Sequence, residues 1–374
     1  MNKYIKLSTL TLSIFISLTW IDVSQSTELS KEKITINDLY QFNEISSIDV
    51  SHSANQIAYS VSSVDEKKDA YRNDIWLLDV NKNKEKILLK GNPSVGKIKF
   101  SPDDTLIAYL APGMGKYSEY QQIWTISTNY SLKKQRTKLK ANINDFEWSP
   151  EGTQMVFVAE SKATDKKTKK TGIQTPKPIV IDRYHFKQDG KDFLDDERQH
   201  LYLLDIKSRN TKQLTQGNSN EILPSWSPDS KKIAYVTKTG EMDRTDNYDI
   251  YILDIDSIDN PIQLTTNLGA DSSSSRPQWS PDGKRIAYLH GGDPALLWYA
   301  LQELAVIDVD TKIHSILTKE LDRNASSPQW SHDGQNIYFV IEDNMKSQLA
   351  QYSLKDQKIK RITPPNYYIS GWSK

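Results

Sequence analysis

The chain of 374 residues contains no cysteine. Disulfides, thiolate metal sites and a lipid-modified cysteine are therefore excluded, and stability has to come from packing. It has no net charge either, with 48 basic residues set against 48 acidic ones. No basic face stands out, so the electrostatic footprint of a nucleic-acid binder is missing. The histidines number six and show no metal-ligand spacing, and no glycine-rich phosphate loop is present. Asp65-Glu66 and Asp243/Asp246 offer too few ligands, irregularly spaced, for calcium. These features give no reason to expect a metal or a cofactor. The one extended apolar stretch, Leu7–Trp20, is short for a membrane span. It follows Lys3 and Lys6 and precedes the small residues Ser24-Gln25-Ser26, so residues 1–26 read as a secretory signal peptide. Its removal would leave no stable membrane span, and the expected location is periplasmic or secreted.

What the chain does have is a repeated phrase. Trp148-Ser149-Pro150-Glu151-Gly152, Trp226-Ser227-Pro228-Asp229-Ser230, Trp279-Ser280-Pro281-Asp282-Gly283 and Trp330-Ser331-His332-Asp333-Gly334 are four copies. Phe100-Ser101-Pro102-Asp103-Asp104 is a fifth with Phe for Trp, and Val50-Ser51-His52-Ser53-Ala54 a degenerate sixth. Apart from one long interval between Ser149 and Ser227, the serines recur at 48 to 53 residues. Each phrase is a strand end and a tight turn. A β-branched or aromatic run such as Ile233-Ala234-Tyr235-Val236 follows, then a third strand such as Asp249-Ile250-Tyr251-Ile252, then a fourth ending in Leu-Thr. Four strands per period predict an all-β fold, a β-propeller of four-stranded blades. The tryptophans are expected to fill the space between blades. Trp372-Ser373 falls about one period after Trp330, so seven blades are expected in the intact parent, the last incomplete here. The expected organisation is a signal over 1–26, an N-terminal segment over 27–45 and the propeller over 46–374. A short helix is predicted near Ile34–Glu44, with Thr35 as cap and Asp38 three residues on.

The long interval marks an insert over 159–200 in the third blade. Its first part, 161–171, is lysine-rich and lacks apolar periodicity. The later part carries Arg183-Tyr184-His185-Phe186, an Asp189-Gly190 turn and Asp195-Asp196-Glu197, and predicts a projecting β-hairpin. Arg183 is read either as a clamp on a peptide carbonyl or carboxylate, or as a partner of Asp189 or Asp195. The Asp195-Asp196-Glu197 cluster is read either as a site for a peptide ammonium or as a solvated turn.

The run from Ile179 to Gly217, with Asp182-Arg183-Tyr184-His185-Phe186, His200-Leu201-Tyr202-Leu203-Leu204-Asp205 and Gln213-Leu214-Thr215, resembles the propeller of prolyl oligopeptidase family serine peptidases. The similarity is to acylaminoacyl-peptidase and dipeptidyl-aminopeptidase-like members in particular. It implies a propeller that restricts access to a C-terminal α/β-hydrolase domain cleaving short peptides from the N-terminus. Arg183, Tyr184, His185, Asp195, Asp196 and Glu197 are the candidate substrate-gating residues. No Gly-x-Ser-x-Gly elbow is present, and Gly371-Trp372-Ser373 lacks the second glycine and the helix such an elbow requires. The chain alone is therefore expected to carry no catalytic residue and to be inactive, its short-peptide partners reached through the missing domain. The alternative from another class is a stand-alone TolB-like periplasmic propeller acting as a protein-interaction module. Only about two dozen residues separate the signal from the first repeat, too few for the α/β domain that precedes such propellers.

Overall fold

The computed structural model describes residues 33–369 apart from 131, 162–180, 182, 190–191, 195–196, 241–242 and 365. The predicted signal peptide, the lysine-rich stretch and the Trp372-Ser373 repeat start lie outside these residues. A 3-10 helix over Ile36–Gln41 opens the described chain, and the Thr35 backbone N–H donates to Asp38 Oδ2 at 2.6 Å.

Six four-stranded antiparallel sheets follow, each built from strands consecutive in the chain except the third, where a two-stranded hairpin intervenes between its second and third strands. We number them as blades 1 to 6. They span residues 44–92, 98–135, 143–213, 221–263, 278–316 and 325–361. The first strand of each blade lies innermost, and those of blades 2 to 6 contribute residues to the lining of an axial cavity. The chain turns under each blade at the Ser-Pro-Asp-Gly phrase, and the chemistry of that phrase explains its recurrence. The serine hydroxyl donates to the aspartate two residues on, at 2.5–2.6 Å in Ser101–Asp103, Ser227–Asp229, Ser280–Asp282 and Ser331–Asp333. It also accepts the backbone N–H five residues on, at 2.9–3.0 Å in the same four turns. The fifth position has positive φ, which glycine adopts without cost at Gly152, Gly283 and Gly334. Where a side chain stands there instead, it ties the turn to the preceding blade. Asp104 accepts the His52 and Ser53 N–H groups at 2.7 and 2.9 Å, and Ser230 Oγ accepts the Glu151 N–H at 3.3 Å. The Leu-Thr ending has an equally local reason. Its threonine hydroxyl accepts a third-strand N–H in five blades, for example Leu201 to Thr215 at 2.9 Å and Leu349 to Thr363 at 2.8 Å.

The tryptophans join blades. Trp148, Trp226, Trp279 and Trp330 are buried, and each indole N–H donates to a carbonyl on the innermost strand of the blade before, those of Lys99, Glu147, Ser225 and Gln278, at 2.9–3.4 Å. Between blades 1 and 2, where Phe100 has no indole, a carboxylate replaces this link. Asp49 Oδ2 accepts the Phe100 N–H at 2.8 Å and Oδ1 accepts Lys99 Nζ at 3.0 Å. Apolar clusters fill each gap: Ala58, Ile75 and Leu77 of blade 1 meet Ile107, Tyr109 and Trp124 of blade 2, and Ala287, Leu289 and Leu304 of blade 5 meet Ile337, Phe339 and Tyr352 of blade 6.

The two terminal blades differ from the rest. Second strands of blades 2 to 4 are buried on both faces, as in Met155–Ala159. That of blade 6 alternates: Ile337, Phe339 and Ile341 are fully buried, while Tyr338 and Val340 keep partial exposure. Blade 1 mirrors this, with Tyr59 stacked on Trp76 at 6.4 Å on a face that its own neighbour does not cover. Among the described residues no strand of blade 6 packs on blade 1 as adjacent blades pack on each other. Both faces at this seam are therefore half-solvated. Phe339→Ala is expected to cost about 3–5 kcal/mol, whereas Val340→Lys, one residue away but on the open face, is expected to cost about 1 kcal/mol or less. Denaturant unfolding of the two variants measures both; equal costs would contradict an open face.

Candidate functional site

The insert returns to blade 3 through a small hairpin. Lys187–Gln188 pairs with Asp192–Phe193, and Phe186 stacks on Phe193 at 6.4 Å. Arg183 has a partner that the sequence did not suggest. Its Nε and Nη2 donate to both carboxylate oxygens of Asp243, at 2.9 and 2.6 Å, on the loop between the second and third strands of blade 4. A planar guanidinium and a carboxylate meet here edge to edge, the geometry in which such pairs are strongest. Arg244 lies over the Tyr184 ring at 4.8 Å. Arg183 and Tyr184 thus hold the insert against blade 4, with His185 exposed beside them. Glu197 is half-buried at the hairpin's return, where its carbonyl accepts Arg198 Nη1 at 3.0 Å. Asp195 and Asp196 lie outside the described residues. Hydrogen bonding from Arg183 holds the Asp243 carboxyl below its usual range.

A second arrangement occupies the axis. Lys97 Nζ reaches Asp145 at 2.8 Å and Glu147 at 2.6 Å; Arg276 crosses from blade 5 to Asp145 at 2.5 Å and to Glu147 at 3.3 Å; Lys99 reaches back to Asp49 at 3.0 Å. Four blades are joined through these six groups. Lys97, Lys99, Glu147 and Arg276, together with Ser275 and Gln329, border an axial cavity of about 420 Å3. Burial raises the Glu147 carboxyl, but the charges of Lys97, Arg276 and Lys99 outweigh it and bring its pKa to about 2. Asp145 is lowered in the same way by Arg276 and Lys97 against its own burial. Burial opposes the charge on Lys99, yet Glu147 and Asp49 raise it.

These axial residues were missed from the sequence although a signal was there. Counted back from the phrase serine, the second position holds Asp49, Lys99, Glu147, Ser225, Gln278 and Gln329, and the fourth holds Ser47, Lys97, Asp145, Leu223, Arg276 and Ser327. Equal offsets in a radial repeat are equal heights on the axis, so opposite charges at one offset are neighbours across the channel.

Residues 185–290 match the family described as the dipeptidyl peptidase IV N-terminal region. A dipeptidyl-peptidase 5 of Porphyromonas endodontalis is 26% identical over 341 residues, which cover 85% of this chain and 47% of that protein. The chain is thus similar to the propeller portions of peptidases of the prolyl oligopeptidase family. Its fold agrees. The acylaminoacyl peptidase of Pyrococcus horikoshii superposes with a TM-score of 0.67 at 16% identity, covering 90% of this propeller and 48% of that chain. The β-propeller domain of the trilobed protease of Pyrococcus furiosus superposes at 0.61 with 18% identity, covering 90% and 88%. The propeller spans less than half the length of the curated relatives it matches.

Two outcomes test these arrangements. Asp243→Ala removes the partner of Arg183 and should expose the 183–193 segment to limited proteolysis while leaving the melting temperature within a few degrees. The folded Asp243 pKa is depressed, so the link holds above the ordinary carboxylate range and loosens as pH falls through the lowered value; wild-type proteolysis should accelerate there. Arg276→Met leaves Asp145 and Glu147 to share the single charge of Lys97. The pairs keep 15–22% of their side-chain surface, so the expected cost is about 2–3 kcal/mol, below that of a fully buried pair. Because Glu147 is depressed to about 2, its part of this stability is present above about pH 4.5 and lost toward pH 2. Unfolding at pH 7 and pH 3 reads both effects.

Proposed function

We propose that this propeller is the non-catalytic, substrate-gating portion of an exported serine peptidase that cleaves short peptides from their N-termini. The observation that carries the reading is the polarity of its two ends. Strands two and three of each blade join at the end where the chain also steps from blade to blade, and the turn phrases lie at the other. Exposed apolar side chains concentrate at the first end: Tyr71, Tyr184, Phe193, Leu268, Tyr299 and Tyr368 among them, with Tyr299 86% exposed. The turn end has Tyr130, Leu132 and Ile313. Contiguous exposed apolar surface marks an interface. The described chain enters blade 1 and leaves blade 6 at this same end, and the docked insert stands there, so a catalytic domain seated on it would share its cavity with the axial channel and the Arg183–Phe193 segment. Passage through a narrow, charged channel favours short extended peptides over folded proteins. A further blade, beginning at the Trp372-Ser373 repeat, would bury the open faces of blades 1 and 6. The signal-like residues 1–26 support export.

Catalysis of this class needs a serine with an oriented base, and the 374 residues hold no Gly-x-Ser-x-Gly phrase to present one. Purified chain should neither turn over dipeptidyl or aminoacyl amide substrates nor be labelled by a fluorophosphonate. A longer product of the same reading frame, carrying Gly-x-Ser-x-Gly followed by Asp and His, should do both. Serine-dependent turnover by residues 27–374 alone would overturn the proposal.

A further inference from the structure

Away from the axis, a groove of about 670 Å3 runs between blades 3 and 4. Its floor carries a carboxylate that is only half used. Glu221 begins the innermost strand of blade 4 and is 5% exposed. Its Oε2 accepts two hydrogen bonds, from His200 Nδ1 at 2.7 Å and from Thr215 Oγ1 at 2.8 Å. Thr215 is held in turn, because its hydroxyl accepts the Leu201 N–H at 2.9 Å. Glu221 Oε1 has no partner among the described residues. Beside it, the Thr237 hydroxyl is buried and also without a partner. Tyr235 and Tyr251, stacked at 5.8 Å, form one wall, and Leu214 and Ile258 contribute apolar surface. The cation at the rim, Lys238, pairs with Asp246 at 3.1 Å rather than with Glu221.

A buried hydroxyl left unpaired, as at Thr237, is costly unless something bonds to it, and the Glu221 carboxylate beside it, 5% exposed as a residue, has one oxygen with no donor among the described residues. Here the two acceptors face one groove, next to aromatic rings that favour a cation. The charge on Glu221 makes a positive donor better than a neutral one. We propose that this groove binds a primary ammonium group carried on an apolar stem, with Glu221 Oε1 and Thr237 Oγ1 as acceptors and the Tyr235–Tyr251 pair against the stem. A peptide α-amino terminus and a lysine side chain share that chemistry. The site lies on the propeller's flank and uses none of the axial groups, so binding is read on this chain alone, without turnover.

Calorimetric titration of the full chain with three probes tests it: alanyl-leucinamide with a free terminus, Nα-acetyl-lysine methylamide with a side-chain ammonium, and N-acetyl-alanyl-leucinamide with neither. At least one ammonium probe should bind and the third should not, and which of the first two binds more tightly identifies the source. Glu221→Gln keeps the shape and the contacts to Thr215, and should weaken the ammonium probe about tenfold or more. Thr237→Val should weaken it several-fold and, if the glutamine variant fails to fold, carries the test by itself. The proposal is overturned if neither ammonium probe saturates at millimolar concentration, if the acetylated control binds as tightly, or if folded variants retain wild-type affinity.

Discussion

Each sheet of this chain covers its apolar faces only against another sheet, and that single constraint organises the molecule. A four-stranded blade has two apolar faces and no helix to place on either, so Phe157, Tyr235, Tyr288 and Phe339 complete their burial against the blade before them. The indole-to-carbonyl links set the spacing between neighbours, and where the indole is missing the Asp49 carboxylate serves the same gap by a different chemistry. The price of this construction is that a blade at either end of the array cannot be satisfied from within the six described sheets. The partial exposure of Tyr59 and Trp76 on one side and of Tyr338 and Val340 on the other is that same constraint seen where it is unmet.

The repeat made the architecture legible because its residues act locally. The serine braces its own turn, the threonine closes its own blade, and the pattern of strand and turn follows from contacts within about fifteen residues. What could not be read was anything crossing a blade boundary. Arg183 finds Asp243 sixty residues later, on a loop whose acidic residues looked like a poor cation site when taken by themselves. Nothing in the spacing of Arg183 from Asp189 or Asp195 separates those near carboxylates from the distant one, because the outcome depends on how far the insert leans toward blade 4. The axial groups are a different case. Their offsets from the phrase serine were available throughout, and aligning repeats by position rather than by hydrophobicity would have placed Lys97, Asp145 and Arg276 at one height.

The axial ion pairs and the flank groove show opposite treatments of charge. On the axis every carboxylate is matched: Asp145 and Glu147 face Lys97 and Arg276, and the opposing charges overcome the cost of burial strongly enough to hold both carboxyls ionised. Such pairs join four blades that share no continuous sheet, so they fix the inner strands relative to one another where main-chain hydrogen bonding does not reach. On the flank, His200 and Thr215 hold one oxygen of Glu221, and its second oxygen has no donor among the described residues.

That contrast bears on how the fold divides its work. A channel whose charges are already paired presents little unsatisfied attraction to a passing peptide. A groove whose carboxylate has one oxygen without a donor is the better place for the proposed ammonium ligand to be held, and it lies away from the axial groups. The insert sits beside both. It is anchored to blade 4 through Asp243 and Arg244, on the loop that follows the groove residues Lys238, Thr239 and Gly240.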